Sequence, residues 1–183
     1  MKPGTIIRTF RAKDGREVVL RAVNWNDLDD LLELINALVD ERANIIIDEK
    51  VTREEEIEWL SQRLARLEKD EALYLVAETN GKVVGASELD WRTRGYNRHV
   101  ASIGIALRDG FRDVGIGTEM MRTLEEHARS RSLKVLTLGA YATNERAHHV
   151  YQRTGFKEVG RIPMKFFKEG RYIDEIVMAK ILE

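Results

Sequence analysis

The chain has 183 residues, 43% of them hydrophobic, which is enough to bury one full core, so we expect a single domain over residues 1–183. The charges of the 30 basic and 31 acidic residues nearly cancel, and this balance argues against general electrostatic binding to nucleic acid. The absence of cysteine excludes disulfides, thiolate metal sites and a cysteine nucleophile. No stretch has the apolar length of a signal-peptide core or a membrane span, so we expect a cytoplasmic protein without a membrane partner.

The first part of the chain predicts one strand followed by two helices. Residues 1–16 are polar and are interpreted as a flexible leader, and the alternation over 17–23 predicts the first strand. Asn24 or Asn26 can cap the first helix, and Thr52 begins a capping box for the second. Each helix carries an apolar stripe, formed by Leu28, Leu31, Leu32, Ile35, Leu38 and Val39 on the first and by Ile57, Leu60, Leu64 and Leu67 on the second.

The rest of the chain alternates strands and helices. Asn80 and Gly81 predict a tight hairpin between strands 74–78 and 82–90, because both residues tolerate positive φ. A strand, a helix, a strand, a helix and two final strands follow, over 100–107, 116–129, 135–140, 144–153, 159–167 and 172–181. We therefore predict an α/β fold with one mixed central sheet of about seven strands and flanking helices.

The turn that follows the strand 100–107 has the features of a phosphate site. It reads Arg-Asp-Val-Gly-Ile-Gly-Thr and begins at Arg112. Gly115 and Gly117 lack a Cβ, so an anionic ligand can lie directly on the backbone. The free N–H groups of the next helix and its dipole favour negative charge. The turn predicts a pyrophosphate-bearing ligand, and the alternative is an ordinary turn that tolerates glycine.

Two other phosphate loops do not match this turn. A P-loop has Lys followed by Ser or Thr after its last glycine, whereas Thr118 and Glu119 follow here. A dinucleotide-binding fingerprint has three glycines and an acidic residue about 20 residues further on, and only two glycines are in register in this chain.

A second motif begins at Asn144. It reads Asn-Glu-Arg-Ala-His-His-Val-Tyr-Gln-Arg-Thr-Gly-Phe, and it places Asn144, Ala147 and Tyr151 on one helical face. Two motifs at this separation, in this order of strands and helices, resemble the GNAT superfamily of acyl-CoA-dependent N-acetyltransferases. The resemblance covers most of the chain and is strongest over 82–156.

The resemblance implies acetyl-CoA as cosubstrate and a sheet that splays between the fourth and fifth predicted strands, with pantetheine in the gap. The family pattern Arg/Gln-x-x-Gly-x-Gly/Ala is matched by Arg112, Gly115 and Gly117. Asn144 matches the asparagine that contacts pantetheine, or only caps its helix. Asp109 stands where relatives often have proline. The cosubstrate-binding residues implied in this way are Leu107, Arg108, Asp109, Arg112, Gly115, Ile116, Gly117, Thr118 and Asn144.

Two residues are candidates for catalysis. Tyr151 matches the family's tyrosine near the thioester sulfur, which is commonly proposed to protonate the departing thiolate; the alternative is a core aromatic. Glu88 and Asp90 are the nearest carboxylates for a general base, and we select Glu88 as the candidate, the alternative being a solvated side chain at a sheet edge. His148 and His149 lack the i, i+4 spacing of zinc helices, so we expect no metal.

The acceptor pocket of this family is shaped by the first two helices, their connection and the last two strands. The ending 170–175 resembles relatives that acetylate small amines or amino-acid-like compounds, including phosphinothricin-type herbicides, and that are often dimers. We therefore expect a small-molecule amine substrate and a homodimer. The apolar triplet 45–47 is a lid, a dimer contact or buried core. A cationic amine would be attracted by acidic residues of the connection, unless these are ordinary solvated charges: Asp40, Glu41, Asp48 and Glu49.

Two other functions stay open at the level of sequence. The enzyme could acetylate a protein, at an N-terminal amine or a lysine, and this predicts an open groove beside the thioester instead of a closed pocket. The chain could also be an acyl-CoA-binding module that has lost catalysis. An intact Tyr151 and a complete phosphate turn argue against that loss.

Overall fold

The computed structural model describes residues 1–182 and shows one mixed sheet with helices packed against it. The strands found in this range are β1 (Ile6–Arg11), β2 (Glu17–Ala22), β3 (Ala72–Thr79), β4 (Lys82–Trp91), β5 (Val100–Leu107), β6 (Val135–Tyr141), β7 (Lys157–Lys168) and β8 (Arg171–Ile181). The α-helices are α1 (Leu28–Asp40), α2 (Arg53–Glu68), α3 (Ile116–Ser130) and α4 (Glu145–Arg153). A short 3-10 turn, Trp25–Asp27, precedes α1 and is capped by Asn24.

The strand order in the sheet is β1-β2-β3-β4-β5-β6-β8-β7. Neighbouring strands are antiparallel except for β5 and β6, which are parallel and are joined by α3. The α/β class and the mixed sheet are thus confirmed, with eight strands in the described residues where the sequence predicted about seven.

The additional strand is β1, which lies inside the stretch 1–16 that was interpreted as a flexible leader, and that interpretation is wrong for these residues. β1 pairs with β2, with Phe10 opposite Val18. Its Arg8 forms an ion pair with Glu119 of α3, more than a hundred residues away. The charged side chains of β1 make this stretch resemble a polar leader. The groups that neutralise these charges belong to a distant helix, so the local sequence does not reveal them.

The predicted splay lies between β5 and β6. These strands pair over three positions only, from Val100 opposite Val135 to Ser102 opposite Thr137. On its other edge β5 stays paired with β4 as far as Leu107. The last five residues of β5 therefore have a neighbour on one side and a gap on the other.

The backbone of β5 offers hydrogen-bonding groups to this gap. The N–H of Arg108 donates to the carbonyl of Val84 at 2.9 Å, which places Arg108 on the β4 side of the ladder. Hydrogen-bonded positions alternate along an antiparallel strand, so the N–H and C=O of Leu107 and Ile105 point away from β4. They face the gap that β6 leaves open.

The apolar stripes of α1 and α2 form one side of the core. Leu31, Leu34 and Leu38 of α1 are buried, and so are the predicted leucines of α2, Leu60, Leu64 and Leu67. Ile57 was predicted to belong to the α2 stripe and is 36% exposed, so that prediction is wrong. Glu56 takes the inward position in the first turn of α2, where burial raises the pKa of its carboxyl group.

The local signals predicted from sequence hold the element ends in place. Thr52 accepts from the N–H of Glu55, and the Glu55 carboxylate accepts from the N–H of Thr52 at 2.8 Å, which completes the capping box. Asn80 and Gly81 have φ of 51° and 74°, as the tight hairpin requires. Gly155, at φ 89°, follows the end of α4.

Candidate active site

A cleft of about 1380 Å³ opens where β5 and β6 diverge. The turn before α3 lines one end of it, and side chains of α2 and β4 line the other. The middle is formed by the gap-facing edge of β5 and by one side of α4. The splay of the sheet thus produces an elongated site that runs from a helix N-terminus to the space under α2.

The N-terminus of α3 faces the first end of the cleft. Gly115 caps the helix with φ 94° and ψ −8°, a left-handed conformation that a residue with a Cβ adopts at a cost. No side chain caps the helix, so the N–H groups of Ile116, Gly117 and Thr118 have no intrahelical partner. A Cβ on Gly117 would lie 3.3 Å from Leu107 Cδ1, so this glycine lets α3 approach the end of β5 closely.

Arg112 lines the same end of the cleft. Its Nε donates to the carbonyl oxygen of Leu107 at 2.8 Å. The outer guanidinium nitrogens form a two-pronged ion pair with Glu41 of the α1–α2 connection, at 2.5 and 3.0 Å. An arginine that grips a carboxylate in this geometry is also suited to phosphate oxygens.

Lys13 adds a second cation that sequence reasoning missed. Its backbone N–H donates to the carbonyl of Val114 at 2.9 Å. The carbons of its side chain lie 3.8 Å from the position that a Cβ on Gly115 would take, so the side chain lies over the phosphate turn. Lys13 falls in the stretch interpreted as a leader, and only the pairing of β1 with β2 carries it to the cleft.

The other predicted cosubstrate residues divide into two groups. Leu107, Thr118 and Asn144 line the cleft. Arg108 does not, because its side chain pairs with Glu33 of α1 at 2.7 Å. Asp109 is exposed and also lies outside the cleft lining. The Ile116 side chain is buried in the core, so this residue can offer only its backbone N–H to a ligand.

The helix α4 brings Asn144 and Tyr151 to the cleft. Asn144 Oδ1 accepts from the N–H of Ala147 at 3.2 Å, so the asparagine is an N-cap, and its amide NH₂ makes no hydrogen bond with a described residue. Tyr151 is 7% exposed, and its hydroxyl likewise has no partner among residues 1–182. Desolvation raises the pKa of Tyr151 to about 12, which keeps the hydroxyl protonated at neutral pH.

The carboxylate of Glu88 faces the second end of the cleft. In the sheet Glu88 lies between Tyr74 of β3 and Gly104 of β5. A Cβ on Gly104 would sit 3.3 Å from Glu88 Oε1, so the glycine leaves room for the carboxylate. Burial raises the pKa of Glu88, the charge of Arg63 opposes the shift, and the charge of Asp90 adds to it.

Asp90, the other carboxylate considered as a base, is occupied. Arg66 of α2 forms a two-pronged ion pair with it, and Asp90 does not line the cleft. Both Asp90 oxygens accept from this guanidinium and are not open to an incoming amine. Glu88 is therefore the carboxylate of this pair that can accept a proton in the cleft.

Two residues of α2, Trp59 and Arg63, line the same end and were missed by the sequence reasoning. The Arg63 guanidinium carbon lies 4.8 Å from the Trp59 ring centroid and 5.5 Å from that of Tyr74. The one available signal was the i, i+4 spacing of Trp59 and Arg63, which puts them on one helical face. That spacing is also typical of an ordinary surface pair.

The α1–α2 connection lies over the cleft, but its acidic residues do not form the predicted rim. Glu41 is turned toward Arg112, and Asp40 pairs with Lys50 at 2.9 Å. Asp48 and Glu49 are exposed and do not line the cleft. The attraction of a cationic amine by these four acidic residues therefore has no support in the structure.

The apolar triplet of the connection lines the cleft instead. Ile45 packs against the core, and its carbonyl accepts from the Tyr141 hydroxyl at 2.9 Å. Ile46 is 85% exposed, and Ile47 is partly exposed. Tyr141 stacks on Phe166 of β7, with ring centroids 3.8 Å apart. The triplet, β6 and β7 thus form an apolar wall of the site.

Within residues 1–182 no helix combines the length and hydropathy needed to cross a bilayer. In the same range no group of three or more His, Asp or Glu side chains is placed to hold a metal ion.

Two curated proteins resemble this chain along much of its length. An uncharacterized N-acetyltransferase, MJ1207, from Methanocaldococcus jannaschii is 32% identical over 142 residues. The match covers 76% of this chain and only 60% of that relative, so the chain spans less than two thirds of its length. The L-amino acid N-acyltransferase MnaT of Escherichia coli is 29% identical over 158 residues, which are 85% of this chain and 88% of that protein.

A solved structure shares the fold as well. The crystal structure of ribosomal-protein-alanine N-acetyltransferase from Brucella melitensis superposes with a TM-score of 0.78 and 31% identity, over 89% of this chain and 99% of that one. The sequence profile of the Acetyltransferase (GNAT) family matches residues 32–156, well over half of the chain. The family profile is consistent with the splay of β5 from β6 and with the glycine turn before α3. The chain belongs to the GNAT family of acetyltransferases.

Proposed function

We propose that this enzyme transfers an acetyl group from acetyl-CoA directly to the primary amine of a small, amino-acid-like compound. One observation carries the proposal: a single cleft has free helix N–H groups at one end and the partly desolvated carboxylate of Glu88 at the other. The first end suits a pyrophosphate and the second suits an amine. The name of the E. coli relative, an L-amino acid N-acyltransferase, supports the class of acceptor.

The cosubstrate would lie along the gap between β5 and β6. Its pyrophosphate would accept hydrogen bonds from the N–H groups of Ile116, Gly117 and Thr118, with Arg112 alongside. Pantetheine would bond to the outward backbone groups of β5, and the Asn144 amide is free to donate to it. This arrangement places the thioester in the middle of the cleft, between α4 and β4.

The chemistry is a direct transfer within this ternary complex. The neutral amine attacks the thioester carbon, Glu88 takes the proton that the nitrogen loses as the amide forms, and the carbon–sulfur bond breaks. The Leu107 N–H, which faces the gap, is placed to donate to the oxyanion that develops on the carbonyl oxygen. Tyr151 gives its proton to the departing thiolate. Holding both reactants in one cleft contributes much of the rate.

A protein acceptor is the second candidate. The solved relative from Brucella melitensis is named for the alanine terminus of a ribosomal protein, and it matches this chain at 31% identity. An N-terminal amine could reach Glu88 by the same end of the cleft as a free amino acid. The two acceptors differ in one chemical respect, because a peptide terminus has an amide where the amino acid has a carboxylate.

We also propose a cytoplasmic homodimer. Exposed apolar side chains of β7 and β8 support this assembly, since a set of this kind is unusual on a monomer. The set is Val159, Met164, Phe167 and Tyr172, each about 60% exposed. Sedimentation of the purified protein should give twice the mass of the chain, and a monomer at micromolar concentration would refute the assembly.

The proposed function is tested by thiol release from acetyl-CoA across amino acids, amino-acid analogues, polyamines and short peptides. Turnover with amino-acid-like compounds is the expected result. Turnover with peptides alone would establish the protein acceptor. Binding of acetyl-CoA without thiol release on any amine would refute the proposed reaction and leave a binding module.

A further inference from the structure

Arg63 lines the cleft and, unlike Arg66 of the same helix, forms no hydrogen bond or ion pair with another described residue. Arg66, one turn further along α2, is held by the Asp90 carboxylate and by the carbonyl of Glu71. Among residues 1–182, the Arg63 guanidinium forms no ion pair and no hydrogen bond, and its Nε is buried without an acceptor. A buried cationic donor without an acceptor is costly, so such a group in a cleft indicates an anionic ligand.

Two aromatic rings hold the Arg63 guanidinium in place. It lies 4.8 Å from the Trp59 ring centroid and 5.5 Å from the Tyr74 ring centroid, and these rings meet edge to face at 6.4 Å. Cation–π contacts of this kind fix the plane of a guanidinium and leave its two terminal NH₂ groups available to a ligand. The fork is therefore preorganised for a carboxylate before the ligand arrives.

The Arg63 guanidinium lies at the same end of the cleft as the proposed base. Tyr74, which touches the guanidinium, is the cross-strand neighbour of Glu88. The charge of Arg63 counteracts the effect of burial on the pKa of Glu88, as expected for two groups that share one end of the cleft. An α-amino acid carries its amine and its carboxylate on one carbon. An acceptor whose amine reaches Glu88 thus has its carboxylate within reach of Arg63.

We propose that Arg63 binds the carboxylate of the acceptor, so that the enzyme selects amines with an adjacent free carboxylate. The inference rests on the proposed acetyl transfer and goes beyond it by assigning the residue that sets the substrate class. It excludes polyamines and peptide N-termini as good acceptors, because both lack a carboxylate beside the amine. Trp59 acts as a positioning residue that holds the guanidinium.

The test compares each amino acid with its carboxamide, which keeps the amine and the side chain and removes the negative charge. The wild-type enzyme should prefer the free acid by about 10- to 100-fold in kcat/KM, the range expected for a two-pronged charged contact. Arg63→Gln should lose that preference through KM for the acid, and turnover of the carboxamide and KM for acetyl-CoA should change by less than about threefold. Arg63→Lys should recover part of the preference, because it restores the charge without the fork.

Arg53→Gln is the matched control, because Arg53 is an exposed arginine at the start of the same helix and pairs with Asp29. It should leave the preference unchanged. Carboxamide turnover also reports whether the Arg63 variants are folded. Equal losses on acid and carboxamide, or a wild-type enzyme without preference for the acid, would overturn the assignment of Arg63 and leave acetyl transfer standing. Absence of transfer to every amine would overturn both.

Discussion

The end of the cleft where we propose that the pyrophosphate binds, the phosphate end, is made by one continuous turn with free backbone N–H groups. The end proposed for the amine, the acceptor end, is made by side chains from α2, β3 and β4. At the first end the identity of most residues matters little as long as Gly115 and Gly117 let the chain turn and the ligand approach. At the acceptor end the identity of the side chains matters, because Arg63 has an unpartnered buried Nε and Glu88 a carboxylate whose pKa is raised by burial. Under the proposed function, the common cosubstrate is bound by the backbone and the particular acceptor by side chains.

This contrast predicts which substitutions weaken the binding of acetyl-CoA and which lower turnover. Changes at the phosphate end should act on the affinity for acetyl-CoA, because the pyrophosphate proposed to bind there does not react. Changes at the acceptor end should act on turnover or on the choice of amine. Tyr151 lies between the two ends and should affect turnover alone.

The largest effect is expected from Glu88→Gln. Removal of a general base lowers the rate by about 10²- to 10⁴-fold, and the amide is nearly isosteric, so the fold and the affinity for acetyl-CoA should be kept. Burial raises the pKa of Glu88, so kcat/KM of the wild-type enzyme should fall as the pH is lowered through that raised value, because the base becomes protonated. The rate–pH profile, measured with one amine for both proteins, should lose this acidic limb in the variant.

Glu54→Gln, an exposed change in the first turn of α2, provides the control for Glu88→Gln. A Glu88→Gln enzyme with wild-type turnover and the same acidic limb would remove Glu88 as the base. In that case the contrast between a binding end and a chemical end would also fail.

Tyr151→Phe should lower turnover by a smaller factor, about 10- to 100-fold. A free thiol has a pKa of about 8.5, so the thiolate can leave without full protonation and depends less on an acid than the amine depends on a base. Because burial raises the pKa of Tyr151 to about 12, its hydroxyl stays protonated over the working range and adds no alkaline limb below that value. Single-turnover kinetics should show slower transfer with an unchanged Kd for acetyl-CoA.

Two outcomes would argue against Tyr151 as the acid. Unchanged single-turnover rates would leave it as a core aromatic, which packs on Phe156 with ring centroids 6.3 Å apart. An alkaline limb near pH 9 that disappears in Tyr151→Phe would contradict the raised pKa.

A smaller effect, about tenfold on the Kd for acetyl-CoA, is expected from Gly115→Val. The φ of 94° costs a residue with a Cβ roughly 1–2 kcal/mol, and relief of that strain would turn the N–H groups of α3 away from the cleft. Gly81→Val is the matched control: it has φ 74° and open space around it, and it lies in the β3–β4 hairpin outside the cleft. Calorimetric titration should show weaker acetyl-CoA binding for Gly115→Val alone, with Tm lowered in both. Equal Kd values would mean that the turn does not hold the pyrophosphate.

The same contrast explains what the sequence could predict. The phosphate turn lies within seven consecutive residues, and its strand, glycines and helix are all local features, so the site is visible in the sequence. The hairpin at Asn80 and Gly81 and the capping box of Thr52 are local in the same way, and both are confirmed. The splay of β5 from β6 follows from the family pattern, which the two motifs reveal.

The acceptor end depends on contacts between distant parts of the chain. Arg63 belongs to the site because α2 lies over Tyr74, and Lys13 because β1 pairs with β2. Of the two alternatives for the acidic residues near the end of α1, the rim is not found for the same reason, since Glu41 pairs with an arginine 71 residues away. Hydrophobic periodicity and capping residues predict helices and strands. They do not predict which charged side chains will form ion pairs with distant residues.

The smallest expected effect concerns a residue that links the two ends. Glu41 belongs to the α1–α2 connection over the acceptor end, but its carboxylate holds Arg112 at the phosphate end, and a bound pyrophosphate would compete for the same guanidinium. The Arg112 and Glu41 side chains are 22% and 24% exposed, and ion pairs that remain partly solvated contribute about 1 kcal/mol or less, so Glu41→Gln should tighten acetyl-CoA binding by about two- to fivefold. Asp40→Asn removes the same charge from the neighbouring residue, whose partner is Lys50, and should leave the Kd unchanged.

The gain in acetyl-CoA affinity in Glu41→Gln should diminish in high salt, because the competing ion pair is screened there. Weaker binding in Glu41→Gln would show instead that Glu41 positions Arg112 for the pyrophosphate, and the phosphate end would then depend on a side chain from the acceptor half.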